Sequence, residues 1–370
     1  MIEIGINDLI SELSKKIVFV SSVNYERRSL ESLKTINKII LNNSVNRQFH
    51  IYRLRVDNKD RRISILEAKA KSHEEEYDNY EARLKARIAK EGSETKIKDT
   101  KKTFTLDDLP GKDNIRSQLI ESNDAKEPFS IVFDITALPR RVILLMMDVF
   151  VNFLEKSEAK NLFITYTWPG RYPFAGRSTN TGALFVENVK RRLPEFLDGV
   201  DEIQSIVTAG RDGSISRLFL ESMPGNANTD TFFYIKKDDY LFGLNSILEN
   251  ANVLSFVDSN SRTRMNYFLS VSRGYELIIS KVKETLEVWG KEHNNLKRAL
   301  LIAPFGPKPM MITAYIAERY SRLFSLKNSL DCRSGIVHVS SIQQNDLYSI
   351  GYKNTSCYRI SLDDLLGRKL

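Results

Sequence analysis

Short apolar runs that end in polar turns, each followed by a stretch with helical apolar spacing, recur along the chain. The clearest instance begins with an Ile-Val-Phe run at 131–133, which is typical of a buried strand. Asp134 ends the run, and apolar residues over 142–154 then recur at the spacing of one helix face. The pattern predicts a strand, a turn and a helix over 130–154, with polar residues at the carboxyl end of the strand.

Strands and helices are predicted to alternate over most of the chain. A strand at 17–20, a helix at 30–41 and a strand at 50–56 form the βαβ opening of a parallel sheet. Further strands are predicted at 161–167, 203–208, 231–235, 253–257, 299–303, 335–340 and 357–360, and further helices at 214–222, 239–250, 275–289 and 309–323. The sequence therefore predicts an α/β fold with two Rossmann-like parallel-sheet halves: an N-terminal Rossmann-like domain at 1–180 and a C-terminal α/β domain at 181–370.

A charged segment at 57–102 interrupts this alternation. Residues at four-three spacing form a narrow apolar stripe in a run dense in Glu, Lys and Arg: Leu66, Ala70, His73, Tyr77, Tyr80 and Leu84. The pattern predicts a charged helical insertion, and the polar residues 91–102 predict a mobile end. Two interpretations stay open: the helix packs on the sheet, or its 60–90 stretch pairs with a protein partner or a second copy of the chain.

The charge balance and the cysteine content narrow the class of protein. The chain has 55 basic and 47 acidic residues and a net charge of +8, which permits an anionic partner such as a nucleotide, a nucleic acid or an acidic protein. Cys332 and Cys357 are too few for a disulfide scaffold or a cysteine zinc site, and they suit a reducing cytosol. The N-terminal residues lack an export signal, and no window approaches the ~20 apolar residues of a membrane span. We therefore predict a cytoplasmic protein without a membrane partner.

Three polar residues after the strand at 131–133 form the first candidate binding motif. Asp134 and Thr136 offer a carboxylate and a hydroxyl that can bind ribose hydroxyls or an amine, and Arg140 at a helix start can bind phosphate. Ligands of open α/β sheets bind at this edge. Alternatively, Asp134 or Thr136 caps the following helix, with Pro139 near its first turn.

The first loop (residues 21–29) follows the first predicted strand and is the second candidate. Ser21 and Asn24 offer hydrogen-bond donors and acceptors, Tyr25 could stack on a base, and Arg27 could bind phosphate. Serine and asparagine are also ordinary loop and capping residues.

Two basic residues in the C-terminal half lie beside turns that contain glycine. Lys308 lies between two prolines before a predicted helix, a stiff turn suited to an anion. Arg211 lies in the turn at 210–213, which could form an anion-binding nest. Alternatively, Lys308 is a solvated lysine in a turn, and 210–213 is an ordinary turn with a helix cap.

Sequence signatures of common enzymes are missing: the chain has no GxGxxG, HExxH, CxxC pair or GxSxG. The four histidines are isolated, and no cluster of acidic metal ligands stands out. We therefore predict no cofactor and no metal, and the sequence favours a non-catalytic protein without excluding an enzyme.

The pattern Asp134-Ile-Thr136-x-x-x-Arg140 after a buried strand resembles the second ligand-binding motif of CARF domains, the CRISPR-associated Rossmann fold. The part of the first loop from Ser21 to Tyr25 lies where the first ligand loop of that family would lie. The resemblance covers 17–167, and the segment 57–102 is atypical of the family. It implies a domain that binds cyclic oligoadenylate second messengers at a dimer interface.

A broader pattern is similar to a family of uncharacterised bacterial proteins associated with phage-defence neighbourhoods. It combines Tyr25-Glu26-x-Arg28-Ser29, Asp134-Ile-Thr136, Tyr166-Thr-x-Pro169-x-x-Tyr172, Gly210-x-x-Gly213 and Pro304-x-Gly306-x-Lys308-Pro309. We therefore predict a sensor or regulatory subunit of anti-phage defence that binds a nucleotide-type anion through the candidate residues above. The alternatives are a nucleotide-cleaving or nucleotide-transferring enzyme that uses the same pocket, and a scaffold subunit that acts through the helical insertion.

Overall fold

The computed structural model divides the chain into two compact units. Unit 1 comprises Met1–Gly176 and Asp346–Leu362, and unit 2 comprises Arg177–Asn345 and Asp363–Leu370. The structure describes residues 1–24, 26–42, 47–57, 64–90, 95–105, 129–155, 161–171, 180–187, 189–210, 213–235, 247–248, 250–251, 253, 262–292, 295–341 and 350–367. Each unit contains one seven-stranded sheet.

Strands and helices alternate along both units. The strands are β1 (Ile2–Ile4), β2 (Lys16–Ser21), β3 (Gln48–Asp57), β4 (Lys96–Thr105), β5 (Phe129–Asp134), β6 (Asn161–Arg171), β7 (Asn180–Val186), β8 (Arg191–Arg192), β9 (Glu202–Ala209), β10 (Asn228–Tyr234), β11 (Thr263–Phe268), β12 (Arg298–Pro304), β13 (Cys332–Ser341) and β14 (Ile350–Ser361). The helices are α1 (Leu9–Glu12), α2 (Arg27–Asn42), α3 (Ser64–Lys90), α4 (Arg140–Leu154), α5 (Leu193–Leu197), α6 (Gly213–Glu221), α7 (Val271–Lys291), α8 (Pro309–Lys327) and α9 (Leu362–Leu365).

The sheet of unit 1 has the strand order β1-β14-β6-β5-β2-β3-β4. The strands from β4 to β6 run parallel, whereas β14 pairs antiparallel with β6 and with β1. The chain builds outward from β2 through β3 to β4 and then returns to the other side of β2 with β5. The strand order therefore reverses between β2 and β5, and this topological switch point is where open α/β sheets form a crevice.

Neighbouring residues of a strand point to opposite faces of the sheet, so a strand that is apolar throughout needs cover on both faces. Helices cover both faces of this sheet. Phe19 of β2 shares one core cluster with Leu33 of α2 and Tyr77 of α3. Phe133 of β5 points to the other face and packs edge-on against Phe150 of α4, with ring centroids 4.9 Å apart. Both helix layers hold the carboxyl ends of β2 and β5 in fixed positions.

The sheet of unit 2 repeats the order of the parallel strands of unit 1. Its order is β11-β10-β9-β12-β13-β7-β8, with parallel strands from β11 to β13 and β9 in the position of β2. Its switch point lies between β9 and β12. A side chain at Gly210 would place its Cβ 1.9 Å from the carbonyl oxygen of Phe305, so only glycine fits where these two loops meet. The predicted α/β fold with two Rossmann-like halves is confirmed.

The charged segment is more closely built into the sheet than the sequence predicts. The predicted charged helix is present as α3, but residues 96–105, expected to be mobile over 91–102, form β4 at the edge of the sheet. The unit β3-α3-β4 is thus a βαβ crossover. Residues 58–63 and 91–94 lie outside the described residues.

The chain passes from unit 1 to unit 2 between Gly176 and Arg177, close to the predicted boundary at 180, whereas its C-terminal stretch departs from the predicted division. The last strand, β14, belongs to the sheet of unit 1, so all the strands of the unit 2 sheet lie between β6 and β14 in the chain, and Asp363–Leu370 return to unit 2 after β14. The sequence shows an apolar run at 357–360 but does not show which sheet it joins. Strands β7 and β11 were not predicted, and most of the predicted elements at 239–250 and 253–257 lie outside the described residues.

Among the described helices, none combines the length and the apolar character needed to cross a membrane.

Candidate functional site

The carboxyl ends of β2 and β5 meet at the switch point of unit 1 through a buried carboxylate. Ser21 Oγ donates a hydrogen bond to Asp134 Oδ2 over 2.9 Å. The other oxygen, Oδ1, accepts from Thr136 N at 3.1 Å and from Thr136 Oγ1. Asp134 is fully buried, and this burial raises its pKa against the opposing effect of the hydrogen bonds from Thr136 and Ser21. The carboxylate thus links the ends of the two strands.

Thr136 fixes the turn that follows β5, the second loop (residues 135–139). Its Oγ1 accepts a hydrogen bond from Thr167 N of β6 at 2.9 Å and lies 3.4 Å from Ser32 Oγ of α2. The N-cap of α4 is Pro139, with no side-chain hydrogen bond. Thr136 and Asp134 therefore shape an Asx-type turn and do not cap the helix, which removes the capping alternative.

The two loops at the switch point are joined directly. Asn24 Nδ2 donates to the carbonyl oxygen of Ala137 at 2.9 Å, and Asn24 Oδ1 accepts from Glu26 N at 2.8 Å. Beside this link, α4 begins with Arg140 and Arg141, both half-buried, and carries no acidic residue in its first turn. An uncapped helix start with two guanidinium groups is suited to an anion.

Arg27 is engaged with α3. Its guanidinium pairs with Glu76, with one contact of 2.9 Å, and with Glu31 at 2.9 Å. Hydrogen bonds from Arg27 and Lys34 lower the pKa of Glu76 to about 2. His73 Nδ1 also lies 2.8 Å from the carbonyl oxygen of Asn24. The first loop is therefore tied to the charged helix.

Glu26 and Arg28 of the first loop, which were not predicted as site residues, form a buried ion pair. Arg28 is 1% exposed; its Nε donates to Glu26, and its Nη1 donates to Tyr166 OH at 3.1 Å and to Thr167 O at 3.3 Å. Buried charges are stable only when paired in this way. In the sequence, the Glu-x-Arg spacing of the first loop indicated an ion pair. The spacing alone does not distinguish a buried ion pair from a solvated one.

The predicted site residues do not all lie in one place. The structure brings Ser21, Asn24, Asp134 and Thr136 together in unit 1, with Arg140 at the start of the adjoining helix. Lys308 belongs to unit 2, where it is the half-buried N-cap of α8. Tyr25 and Arg211 lie outside the described residues.

One group of acidic residues in the described part of the chain has the spacing of metal ligands. Carboxylate oxygens of Asp78, Glu81 and Asp99 all lie within 4.8 Å of one another. Arg53 pairs with all three, at 2.8 Å from Asp78 and 3.8 Å from Glu81. The guanidinium occupies the position that a cation would need, so this cluster is an ion-pair network between α3, β3 and β4.

No protein-family model matches the chain, and a search of curated proteins finds no match. Among solved structures, the chain is similar to the crystal structure of the cytoplasmic domain of a prokaryotic cation chloride cotransporter, with 9% sequence identity. The match covers 88% of this chain and 95% of that chain, at a TM-score of 0.22. A likeness at this TM-score carries no inference about function.

Proposed function

We propose that the protein is a sensor or regulatory subunit that binds a nucleotide-type anionic ligand at the switch point of unit 1, in bacterial anti-phage defence. The observation that carries the proposal is the start of α4 at this edge, where Arg140 and Arg141 follow an N-cap without a side-chain hydrogen bond. The defence setting rests on the resemblances in sequence, and the cytoplasmic location rests on the low cysteine content.

The candidate residues divide into two roles in this proposal. Ser21, Asp134 and Thr136 are almost completely buried, so they hold the two loops in place beneath the ligand. Asn24 and Arg140 are half-buried, and in the proposal they contact the sugar and the phosphate. Arg27 joins them if phosphate replaces Glu76 as its partner.

The burial and hydrogen bonding of the Asp134 carboxylate favour binding over catalysis. Asp134 accepts hydrogen bonds on both oxygens and has no exposed surface, whereas a general base must reach the proton that it removes. The enzyme alternative predicts turnover of the bound nucleotide, which product analysis by chromatography would detect.

The test is a calorimetric titration with a panel of mononucleotides, dinucleotides and cyclic oligoadenylates. Loss of a charge-assisted hydrogen bond in Arg140→Ala should weaken the binding of any ligand that the wild type binds by roughly 10- to 100-fold. Arg322→Ala is the matched control, because Arg322 is an exposed arginine of unit 2 whose side chain is 55% accessible. Equal affinity of the wild type and Arg140→Ala would refute the assignment.

A further inference from the structure

The described sheets have four edge strands: β1 and β4 in unit 1, and β8 and β11 in unit 2. Strand β11 differs from the other three. Strands β1 and β8 have three and two residues, too short for extended pairing. Strand β4 exposes Lys96, Lys98 and Lys101. Short edges and lysine-rich edges are two ways in which proteins prevent a sheet from pairing with another chain. Strand β11 has six residues with Arg264 as its single charge, so it has neither protection.

Exposed apolar side chains follow one face of β11. Met265 is 44% exposed, Tyr267 is 45% exposed and Leu269, just past the strand, is 52% exposed. Residues two apart in a strand lie on the same face, so Met265 and Tyr267 share one face of β11. Phe268 points to the other face and is buried against Tyr234, with ring centroids 5.3 Å apart.

The backbone of β11 shows which residues face the open edge. Thr229 N donates to the carbonyl oxygen of Arg262, and Ile235 N donates to that of Phe268. Even-numbered residues therefore direct their backbone groups to β10, since the direction alternates along a strand. Met265 and Tyr267 direct theirs away from β10, and no strand of the described chain pairs with them there.

We infer that β11 pairs antiparallel with the β11 strand of a second copy of this chain, across a two-fold axis at Asn266. In this register Met265 lies opposite Tyr267 of the other copy on the same face, a hydrogen-bonded position for both. Arg264 lies opposite Phe268 of the other copy, which keeps the two arginines apart. The same residues meet from both sides, as an isologous dimer requires.

A two-fold axis at Met265 would give a less favourable pairing of the two strands. It would place the two copies of Arg264 roughly 7 Å apart along the strands, where like charges repel. The axis at Asn266 doubles that separation. The strand is thus complementary to itself, and a second copy is the partner that supplies the matching strand.

The oligomeric state of the full chain tests the inference. The chain has a mass of 42.5 kDa, so sedimentation equilibrium of the wild type should give about 85 kDa, twice that mass. Met265→Lys adds an edge lysine and should give the mass of one chain. The matched control is Leu326→Lys, because Leu326 is 74% exposed on α8, and it should behave as the wild type.

Three results would overturn the inference: a wild type that is monomeric at every concentration, a Met265→Lys variant that dimerises as the wild type does, or a Leu326→Lys variant that loses the dimer. Circular dichroism of each variant checks that the strand content is unchanged.

Disulfide trapping tests the register. Asn266→Cys places the two copies of one thiol at a non-hydrogen-bonded pair, about 4.5 Å apart at Cα, within disulfide range. Arg264→Cys places them roughly 14 Å apart, beyond that range. Mild oxidation should link Asn266→Cys into a covalent dimer and leave Arg264→Cys and the wild type as single chains. Equal crosslinking of the two variants, or none in Asn266→Cys, would refute the register.

Discussion

At the scale of single residues, Asp134 is the residue whose role changes most between sequence and structure. The sequence predicts a carboxylate that contacts a ligand, whereas the folded chain buries it under hydrogen bonds from Ser21 and Thr136. Its effect on binding is then indirect, through the position of the two loops.

Asp134→Ala should therefore destabilise the protein itself. Removal of the carboxylate leaves the Ser21 hydroxyl and the Thr136 N–H without their buried partner, at a cost of about 3 kcal/mol in the free energy of unfolding. Asp134→Asn keeps one oxygen acceptor and should cost less. Urea denaturation measures both values. An Asp134→Ala variant that is as stable as the wild type but does not bind ligand would instead support direct contact.

His50 provides a prediction that depends on pH. Burial, together with Lys98 and Lys16, lowers its pKa to about 4 from the usual 6.5. Between these values the unfolded chain binds a proton that the folded chain does not, so the free energy of unfolding should rise with pH from 4 to 6.5. Above this window the histidine is neutral in both states and contributes no pH dependence.

The variant His50→Gln isolates this effect, because its amide can still reach Thr100, which lies 3.1 Å from His50 Nε2. Unfolding by urea at several pH values should show a smaller slope for the variant, by up to about 1.4 kcal/mol per pH unit, the value for one proton. Identical slopes for the two proteins would show that His50 does not carry the effect.

At the scale of elements, α3 is a structural part of unit 1. Tyr77 in its stripe has no exposed surface, its hydroxyl accepts from Asn37 Nδ2 at 2.7 Å, and the Arg53 guanidinium lies 4.7 Å from its ring centroid. This arrangement agrees with the interpretation that the helix packs on the sheet. A protein partner on α3, which stays a prediction, would have to use the charged faces of the helix.

Substitutions in the stripe test this role. Tyr77→Ala should lower the free energy of unfolding by about 3–5 kcal/mol through the cavity it creates, and Tyr77→Phe by about 1 kcal/mol through the lost hydrogen bond. Arg83→Ala on the exposed side of α3 is the control and should stay within about 0.5 kcal/mol of the wild type. Equal free energies of unfolding for Tyr77→Ala and the control would show that the packing of α3 on the sheet does not stabilise unit 1.

The elements also show how far sequence patterns can predict this fold. The strand and helix at 130–154 were predicted well because a fully buried strand and an amphipathic helix both leave apolar patterns. Strand β4 was missed because an edge strand with exposed lysines has no such pattern. The meeting of Ser21 and Asp134 was predictable from neighbouring strand ends, but the pairing of Arg27 with Glu76, 49 residues away, was not.

At the scale of the whole molecule, the same order of parallel strands is used twice, and the strands of the second sheet lie between β6 and β14 of the first. Both sheets reverse their strand order beside their first parallel strand, β2 in unit 1 and β9 in unit 2. The chain leaves unit 1 after β6 and returns to it at β14. Sequence patterns predicted the repeated alternation, whereas the return of the last strand depends on long-range pairing that no local pattern encodes.

Native mass spectrometry of the purified protein tests whether a nucleotide-type ligand binds at the switch point of unit 1. Wild type, Arg140→Ala and Arg322→Ala would be measured as isolated and after incubation with acid-soluble nucleotides from the host. We expect a nucleotide adduct on the wild type and on Arg322→Ala, released by denaturation, and its loss from Arg140→Ala. No adduct on the wild type in either sample, or an equal adduct on all three proteins, would contradict it.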